Sequence, residues 1–264
     1  MFFNGNNFCA GVPPPFHSMF AQHYVSSCMF SMYMTKSNDM TRLGKDKAAG
    51  EIIFGGTDET KFVGPMVRLP VIDPSRYWAV TMDELRVGNF TMGTDLQVIV
   101  DTGSSICIGP PDQVANLHAI IDGTKAEGNS GEYNVGCPEN PEALPDVTFK
   151  LGGLEFTLDP MQYTIQVDQD SCLSGFMELD LPKPYSWLLG DIFLSTIYTE
   201  YDCEKKTVGF AKRPSSAAVP KSNPKQCPTK ASKSGGLTKR VTKVVSQAGK
   251  QVKKFTHAKH IDIP

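Results

Sequence analysis

The chain has 264 residues, of which 40% are hydrophobic, and a formal net charge of −2. This length and composition suit a globular body with a core of its own. No apolar run is long enough to span a membrane, and no CxxC pair or histidine cluster indicates a metal site, so no cofactor is expected. The charge is unevenly divided. Residues 1–211 carry 27 acidic and 13 basic side chains, whereas residues 212–264 carry one acidic and 13 basic side chains.

The body predicts an all-β domain. Runs of β-forming residues recur along it, separated by clusters of Gly, Pro, Asn and Asp. The predicted strands are 51–54, 77–82, 97–100, 147–151, 163–167, 186–189, 197–201 and 207–211. Helices are expected to be few and short, at 111–121 and 191–195. Residues 128–144 are rich in turn formers and predict a surface excursion.

The last 50 residues have a different composition. Residues 215–236 are rich in Ser, Lys and Pro, as in a flexible linker. Beyond the linker, apolar residues recur at helical spacing among lysines: Val241, Val244, Val245, Ala248, Val252 and Phe255. This pattern predicts a basic amphipathic helix that would contact an anionic membrane, nucleic acid or an acidic partner. The alternative is a solvated basic tail.

The most informative motif spans residues 98–105, where an apolar run ends in Asp101 and Thr102-Gly103-Ser104-Ser105 follows. Apolar β-formers would deliver Asp101 from a buried strand, and a glycine beside it allows a tight turn. The hydroxyl groups that follow can hydrogen-bond to the carboxylate. These residue types together favour a carboxylate held in place for acid–base chemistry.

Acid–base hydrolysis by carboxylates commonly uses two of them in different protonation states. The charged carboxylate serves as the general base for a water molecule, while the protonated one donates a hydrogen bond to the group under attack. The sequence contains no second Asp-Thr-Gly or Asp-Ser-Gly triplet: Asp122-Gly123 lacks the hydroxyl residue, and Asp170-Ser171-Cys172 lacks the glycine. The second carboxylate is therefore expected to come from elsewhere.

Several further stretches accompany the motif in a fixed order. They are residues 11–16, 28–33, 50–56, 77–78, 108–110, 187–193 and 208–211. With these stretches, residues 11–214 resemble the C-terminal half of a pepsin-like or cathepsin D-like aspartic protease. The resemblance implies the all-β pepsin-like fold, as a C-terminal lobe with part of the sheet shared between lobes. It divides the chain into an inter-lobe remnant at 1–49, a catalytic lobe at 50–214 and the basic tail at 215–264.

The resemblance also assigns roles to individual residues. It makes Asp101 one catalytic carboxylate, positioned by Thr102, Gly103 and Ser104, with Ser104 at a place where the family usually has Thr. It places Tyr77, Leu179 and Leu188 along the substrate groove, and it pairs Cys137 with Cys172 in a disulfide. Cys107 is expected to be a small buried filler, and the partners of Cys9, Cys28, Cys203 and Cys227 stay unassigned. Such a disulfide suggests a secreted or lysosomal protein, although no signal peptide is recognisable at the N-terminus.

Two functions follow from this resemblance. In the first, the chain is the C-terminal lobe of an aspartic endopeptidase that acts on polypeptides, and the missing N-terminal lobe or a second copy of the chain supplies the other carboxylate. In the second, it is a non-catalytic peptide-binding or decoy protein with a pepsin-like groove. Retention of the full Asp-Thr-Gly-Ser-Ser motif favours the first, because an unpaired carboxylate in a buried loop is costly.

Overall fold

The computed structural model describes residues 14–34, 50–72, 77–128, 130–139, 142–167 and 171–214. All of them belong to one compact unit. The predicted tail helix, the linker, Cys9 and Cys227 lie outside these residues. The described part is built mainly of strands, with four short helices: α1 (Pro15–Ala21), α2 (Pro111–Ile120), α3 (Pro160–Tyr163) and α4 (Asp191–Leu194). This confirms the predicted all-β class.

A five-stranded sheet joins segments from both ends of the described chain. Its order is β2 (Gly50–Phe54), β1 (Met29–Met34), β15 (Ile197–Asp202), β16 (Thr207–Lys212) and β3 (Val63–Pro70). All four pairings are antiparallel. Residues of the segment predicted to be an inter-lobe remnant thus pair directly with strands near residue 200.

A seven-stranded sheet carries the strand that leads into the motif at residues 98–105. Its order is β10 (Leu154–Leu158), β9 (Val147–Leu151), β4 (Ala79–Val87), β5 (Phe90–Val100), β14 (Trp187–Leu189), β6 (Cys107–Gly109) and β13 (Phe176–Glu178). β14 runs parallel to β5, and β13 runs parallel to β6. A small third sheet is formed by β11 (Thr164–Gln166), β12 (Cys172–Ser174), β8 (Tyr133–Val135) and β7 (Thr124–Lys125).

The main core lies on one face of the seven-stranded sheet. Val98 and Val100 of β5 and Trp187 and Leu189 of β14 are buried in it, since alternate residues of a strand face the same side. Ile99 and Leu188 alternate with them and pack with Ala79 and Tyr185 in a separate apolar cluster. This end of β5 is buried among neighbouring strands. Asp101, the next residue along the chain, is therefore held in a fixed position.

One sequence expectation is wrong in part. Residues 128–144 are not simply a surface excursion, because β8 lies within them and buries Tyr133 and Val135. The Tyr133 ring stacks on His118 of α2, with ring centroids 3.7 Å apart and planes 6° from parallel. A strand of three residues with glycines nearby shows too little alternation of apolar and polar residues to be predicted. Part of its burial comes from packing against α2, which lies earlier in the chain.

Candidate active site

Asp101 follows directly after β5, and backbone hydrogen bonds hold both Asp101 and the residue before it. The Asp101 N–H donates to the carbonyl of Leu189 on β14 at 3.0 Å, and the Val100 N–H donates to the carbonyl of Trp78 at 2.8 Å. The strand end therefore cannot fray without losing hydrogen bonds to two neighbouring segments. The sequence prediction that an inner strand delivers the carboxylate agrees with this arrangement.

The turn after Asp101 binds the carboxylate through two donors. The Gly103 N–H donates to Oδ1 at 3.0 Å, and the Ser104 Oγ donates to Oδ2 at 2.8 Å. A Cβ at Gly103 would lie 3.2 Å from Oδ1, closer than most side chains approach such an atom. Thr102 is half-buried. Each carboxylate oxygen thus has its own donor, and Ser104 supplies the hydroxyl expected to position Asp101.

The segment that follows β14 packs against this turn. The Asp191 N–H donates to the Ser104 carbonyl at 2.7 Å, and the Ile192 N–H donates to the Ser105 carbonyl at 3.1 Å. A Cβ at Gly190 would clash with the Ile106 carbonyl oxygen. The two chain segments meet so closely there that only glycine fits, which explains the glycine within the stretch 187–193.

Burial and hydrogen bonding act on Asp101 in opposite directions. Burial acts to raise the pKa of the Asp101 carboxyl, whereas the hydrogen bonds from Gly103 and Ser104 act to lower it. The two donors bind the charged carboxylate, which is the form that can act as a general base.

Asp191 is a second carboxyl group at the same site. Burial, with a smaller contribution from the charge on Asp101, raises the pKa of Asp191 to about 7. Its Oδ1 is buried and has no hydrogen-bond partner within the described ranges. At acidic pH the Asp191 carboxyl is therefore mostly neutral. Asp191 lies in the stretch 187–193 and begins the predicted helix 191–195, but its sequence pattern assigned it no role.

Most of the chain is similar to known proteins. Residues 1–213 match the family model for eukaryotic aspartyl proteases. The chain is 38% identical to cathepsin E of Oryctolagus cuniculus over 208 residues, covering 76% of this chain and 50% of that protein. It is 39% identical to cathepsin D of Rattus norvegicus over 208 residues, covering 76% of the chain and 49% of the relative.

The chain belongs to the eukaryotic aspartyl protease family. A third relative, a probable vacuolar protease A of Arthroderma benhamiae, is 36% identical over 205 residues, 76% of this chain and 48% of its own. The chain thus spans about half the length of the relatives it matches. The described residues contain no helix that is long and apolar enough to cross a membrane.

The residues predicted to line the substrate groove do not all lie together. Tyr77 and Leu188 both pack against the apolar cluster of Ala79, Ile99 and Tyr185, and the Tyr77 and Tyr185 rings meet edge to face at 5.4 Å. Leu179 lies outside that cluster and is 47% exposed. Its N–H donates to the carbonyl of Gly109 at the end of β6.

Two disulfides are present among the described cysteines. Cys137 pairs with Cys172, as the resemblance to the protease family implied, with Cα atoms 5.3 Å apart. Cys28 pairs with Cys203, with Cα atoms 5.5 Å apart, a pairing that the sequence analysis left unassigned. Cys107 is fully buried, and burial raises the pKa of its thiol to about 12, so it stays protonated and unreactive.

His17 lies beside the Cys28–Cys203 pair. The possible ligand atoms of these three residues lie within 4.8 Å of one another. Metal binding by cysteine requires the free thiolate, and both sulfur atoms are engaged in the disulfide. In its disulfide form this group therefore offers no sulfur ligand to a metal.

Proposed function

We propose that this chain is the C-terminal lobe of an aspartic endopeptidase and that Asp101 supplies one of the two catalytic carboxylates. The observation that carries the proposal is the turn after β5, where two donors bind the two oxygens of Asp101. Membership of the protease family supports the reaction class, and the half-length match to the relatives supports the assignment to one lobe.

The proposed reaction needs a second carboxylate from outside the described residues. Two carboxylates at contact distance share one proton, so that one is charged and the other neutral. Asp101, whose two oxygens accept hydrogen bonds from Gly103 and Ser104, would be charged and accept a proton from the attacking water. The neutral partner would donate to the substrate carbonyl. An N-terminal lobe is the proposed source of that partner, and a second copy of this chain is the alternative source.

The substrate would be an extended polypeptide with apolar side chains near the cleaved bond. Tyr77 and Leu188 pack with the apolar cluster near the end of β5, and Leu179 is exposed at the end of β13, so these residues offer apolar surface to a bound peptide. Thr102, Gly103 and Ser104 would position Asp101. Residues 1–49, 50–214 and 215–264 would be the inter-lobe segment, the catalytic lobe and the tail.

The described disulfides support a secretory or lysosomal destination, because such bonds persist in oxidising compartments. The proposed contact of the basic tail with an anionic surface rests on the charge of its sequence and on the helical spacing of its apolar residues.

The test is a fusion in which the N-terminal lobe of a relative such as rabbit cathepsin E precedes this chain. We expect the fusion to cleave a denatured protein at acidic pH, and Asp101→Asn to lower the rate by about 10²–10⁴-fold. Asp112→Asn, an exposed carboxylate on α2, is the control and should leave the rate unchanged. Equal rates for the Asp101→Asn variant and its parent would overturn the catalytic role of Asp101.

The isolated chain separates the two sources of the second carboxylate. We expect no cleavage from residues 1–264 alone. Cleavage by the isolated chain that Asp101→Asn abolishes, and whose rate rises with the square of concentration, would instead assign the second carboxylate to another copy of the chain.

A further inference from the structure

The hairpin between β4 and β5 carries a sequence with a specific chemical meaning. Residues 89–91 read Asn-Phe-Thr, the one Asn-x-Ser/Thr triplet in the 264 residues, and its middle residue is not proline. This triplet is the acceptor for N-linked glycans in proteins that enter the secretory pathway. A triplet alone is a weak signal, so its place in the fold decides whether it can be used.

The triplet lies at the tip of a tight two-residue turn. Val87 pairs with Phe90 and Arg86 pairs with Thr91, which leaves Gly88 and Asn89 as the loop. Gly88 has φ +55°, as expected for a glycine at the first central position of a hairpin turn. The turn is anchored by the Gly88 N–H, which donates to the Asp146 carbonyl at 2.8 Å. Asn89 therefore lies in a turn whose backbone is held by hydrogen bonds, at the surface of the protein.

All three residues of the triplet are exposed. Asn89 is itself exposed and its neighbour Phe90 is 62% exposed, so a bulky group on Asn89 displaces no packed side chain. The Thr91 hydroxyl donates to Glu84 Oε1 at 2.6 Å on the surface of the hairpin. The folded structure thus accepts a glycan at Asn89 without loss of buried contacts.

The position is also remote from the proposed chemistry. Asn89 precedes β5 and Asp101 follows it, so the 11 residues of the strand separate them. At about 3.3 Å per residue the strand is at most roughly 35 Å long, and Asp95 within it has φ +53° and bends it. The hairpin tip and Asp101 therefore lie at opposite ends of β5.

We infer that Asn89 is an N-glycosylation site. In the reaction, Asn89 Nδ2 forms a bond to C1 of the first sugar of a lipid-pyrophosphate-linked oligosaccharide. The bond from C1 to the pyrophosphate oxygen breaks, the lipid pyrophosphate leaves, and Nδ2 gives up one proton, with no change in oxidation state. The inference rests on the proposed passage through the secretory pathway, and it does not depend on Asp101 being catalytic.

The test expresses the full chain behind a cleavable secretory leader in a eukaryotic host. We expect the lumenal protein to lose the mass of one N-glycan on treatment with a peptide N-glycosidase, and Asn89 to become Asp in the treated peptide. Asn89→Gln and Thr91→Ala should both abolish the mass loss. Thr91→Ser keeps the required hydroxyl and should retain it, and Asn116→Gln, an exposed Asn on α2 outside any triplet, should retain it as well.

Formation of the Cys137–Cys172 disulfide in the same sample shows that the protein reached the lumen and folded. Disulfide-bonded protein without a glycan on Asn89 would overturn the inference, as would a mass loss that persists in Asn89→Gln. Because proteolysis is not measured, the result is separate from the test of the proposed activity.

Discussion

Arg68 and Glu200 meet across a glycine in the five-stranded sheet. Arg68 on β3 donates to the Glu200 carboxylate of β15 twice, from Nε at 2.6 Å and from a terminal nitrogen at 2.9 Å. The intervening strand presents Gly209, which is paired with both residues. A Cβ on Gly209 would lie 3.0 Å from the Glu200 Cβ and 2.8 Å from the Met66 sulfur. Because Gly209 has no side chain, the Arg68 guanidinium can reach across it to the Glu200 carboxylate.

We expect Arg68→Ala to lower the free energy of unfolding by about 2–4 kcal/mol. Glu200 is 1% exposed, so the variant leaves a buried carboxylate without its bidentate partner. Arg86→Ala is the control, because its pair with Glu155 is partly exposed on both sides and should contribute less than about 1 kcal/mol. Urea unfolding of both variants at neutral pH measures the difference. Equal losses would show that the Arg68–Glu200 pair does not stabilise the sheet.

The sequence predicted strands well where apolar residues form a continuous run. The strand Val147–Leu151 has the predicted bounds, but only the last four residues of Phe90–Val100 were predicted, because its first half is polar and mostly exposed. The strand Val63–Pro70 was missed because it contains two prolines. It lies at the edge of its sheet, where a missing N–H costs little.

The candidate site was predictable to the extent that it is local. Asp101, Gly103 and Ser104 are neighbours in sequence, so one motif identified both the carboxylate and its donors. The surroundings of Asp191 depend on burial produced by the fold, and Cys28 and Cys203 are 175 residues apart. Neither local pattern nor composition can reveal such contacts.

Asp191 makes the fold less stable as pH rises. Its pKa is raised to about 7 in the folded protein from an ordinary value of 3.8, mainly by burial and further by the charge on Asp101. Between these values the folded state holds a proton that the unfolded state releases, so stability falls as pH rises from about 4 to 7. We expect Asp191→Asn to remove this loss. The melting temperature of the variant should then gain relative to the parent as pH rises, whereas the exposed Asp112→Asn should run parallel to the parent.

His118 makes the fold less stable as pH falls, over nearly the same pH range in which Asp191 makes it less stable as pH rises. Burial lowers the pKa of His118 from 6.5 to about 4, against smaller upward effects of its hydrogen bond to the Val114 carbonyl and the charge of Glu178. The unfolded state therefore takes up a proton first, and stability falls as pH drops from 6.5 to 4, by on the order of 2–3 kcal/mol.

Replacing His118 with Gln removes this titration. We expect the variant to lose stability overall, since the stack on Tyr133 is lost, but to show less acid destabilisation than the parent between pH 6.5 and 4. The exposed His23→Asn serves as the control and should keep the parent profile. An unchanged acid slope in His118→Gln, measured by urea unfolding at several pH values, would contradict the assignment.

The Cys28–Cys203 disulfide should stabilise the fold more than Cys137–Cys172. The first joins residues 175 apart and the second joins residues 35 apart. If loop closure in the unfolded chain dominates, the longer loop contributes about 1.4 kcal/mol more, within a usual range of about 2–5 kcal/mol for a native disulfide. We expect the double variant Cys28→Ser with Cys203→Ser to lose more free energy of unfolding than Cys137→Ser with Cys172→Ser. Peptide mapping without reduction should recover residues 28 and 203 in one linked pair, and alkylation of both thiols in the oxidised protein would refute the pairing.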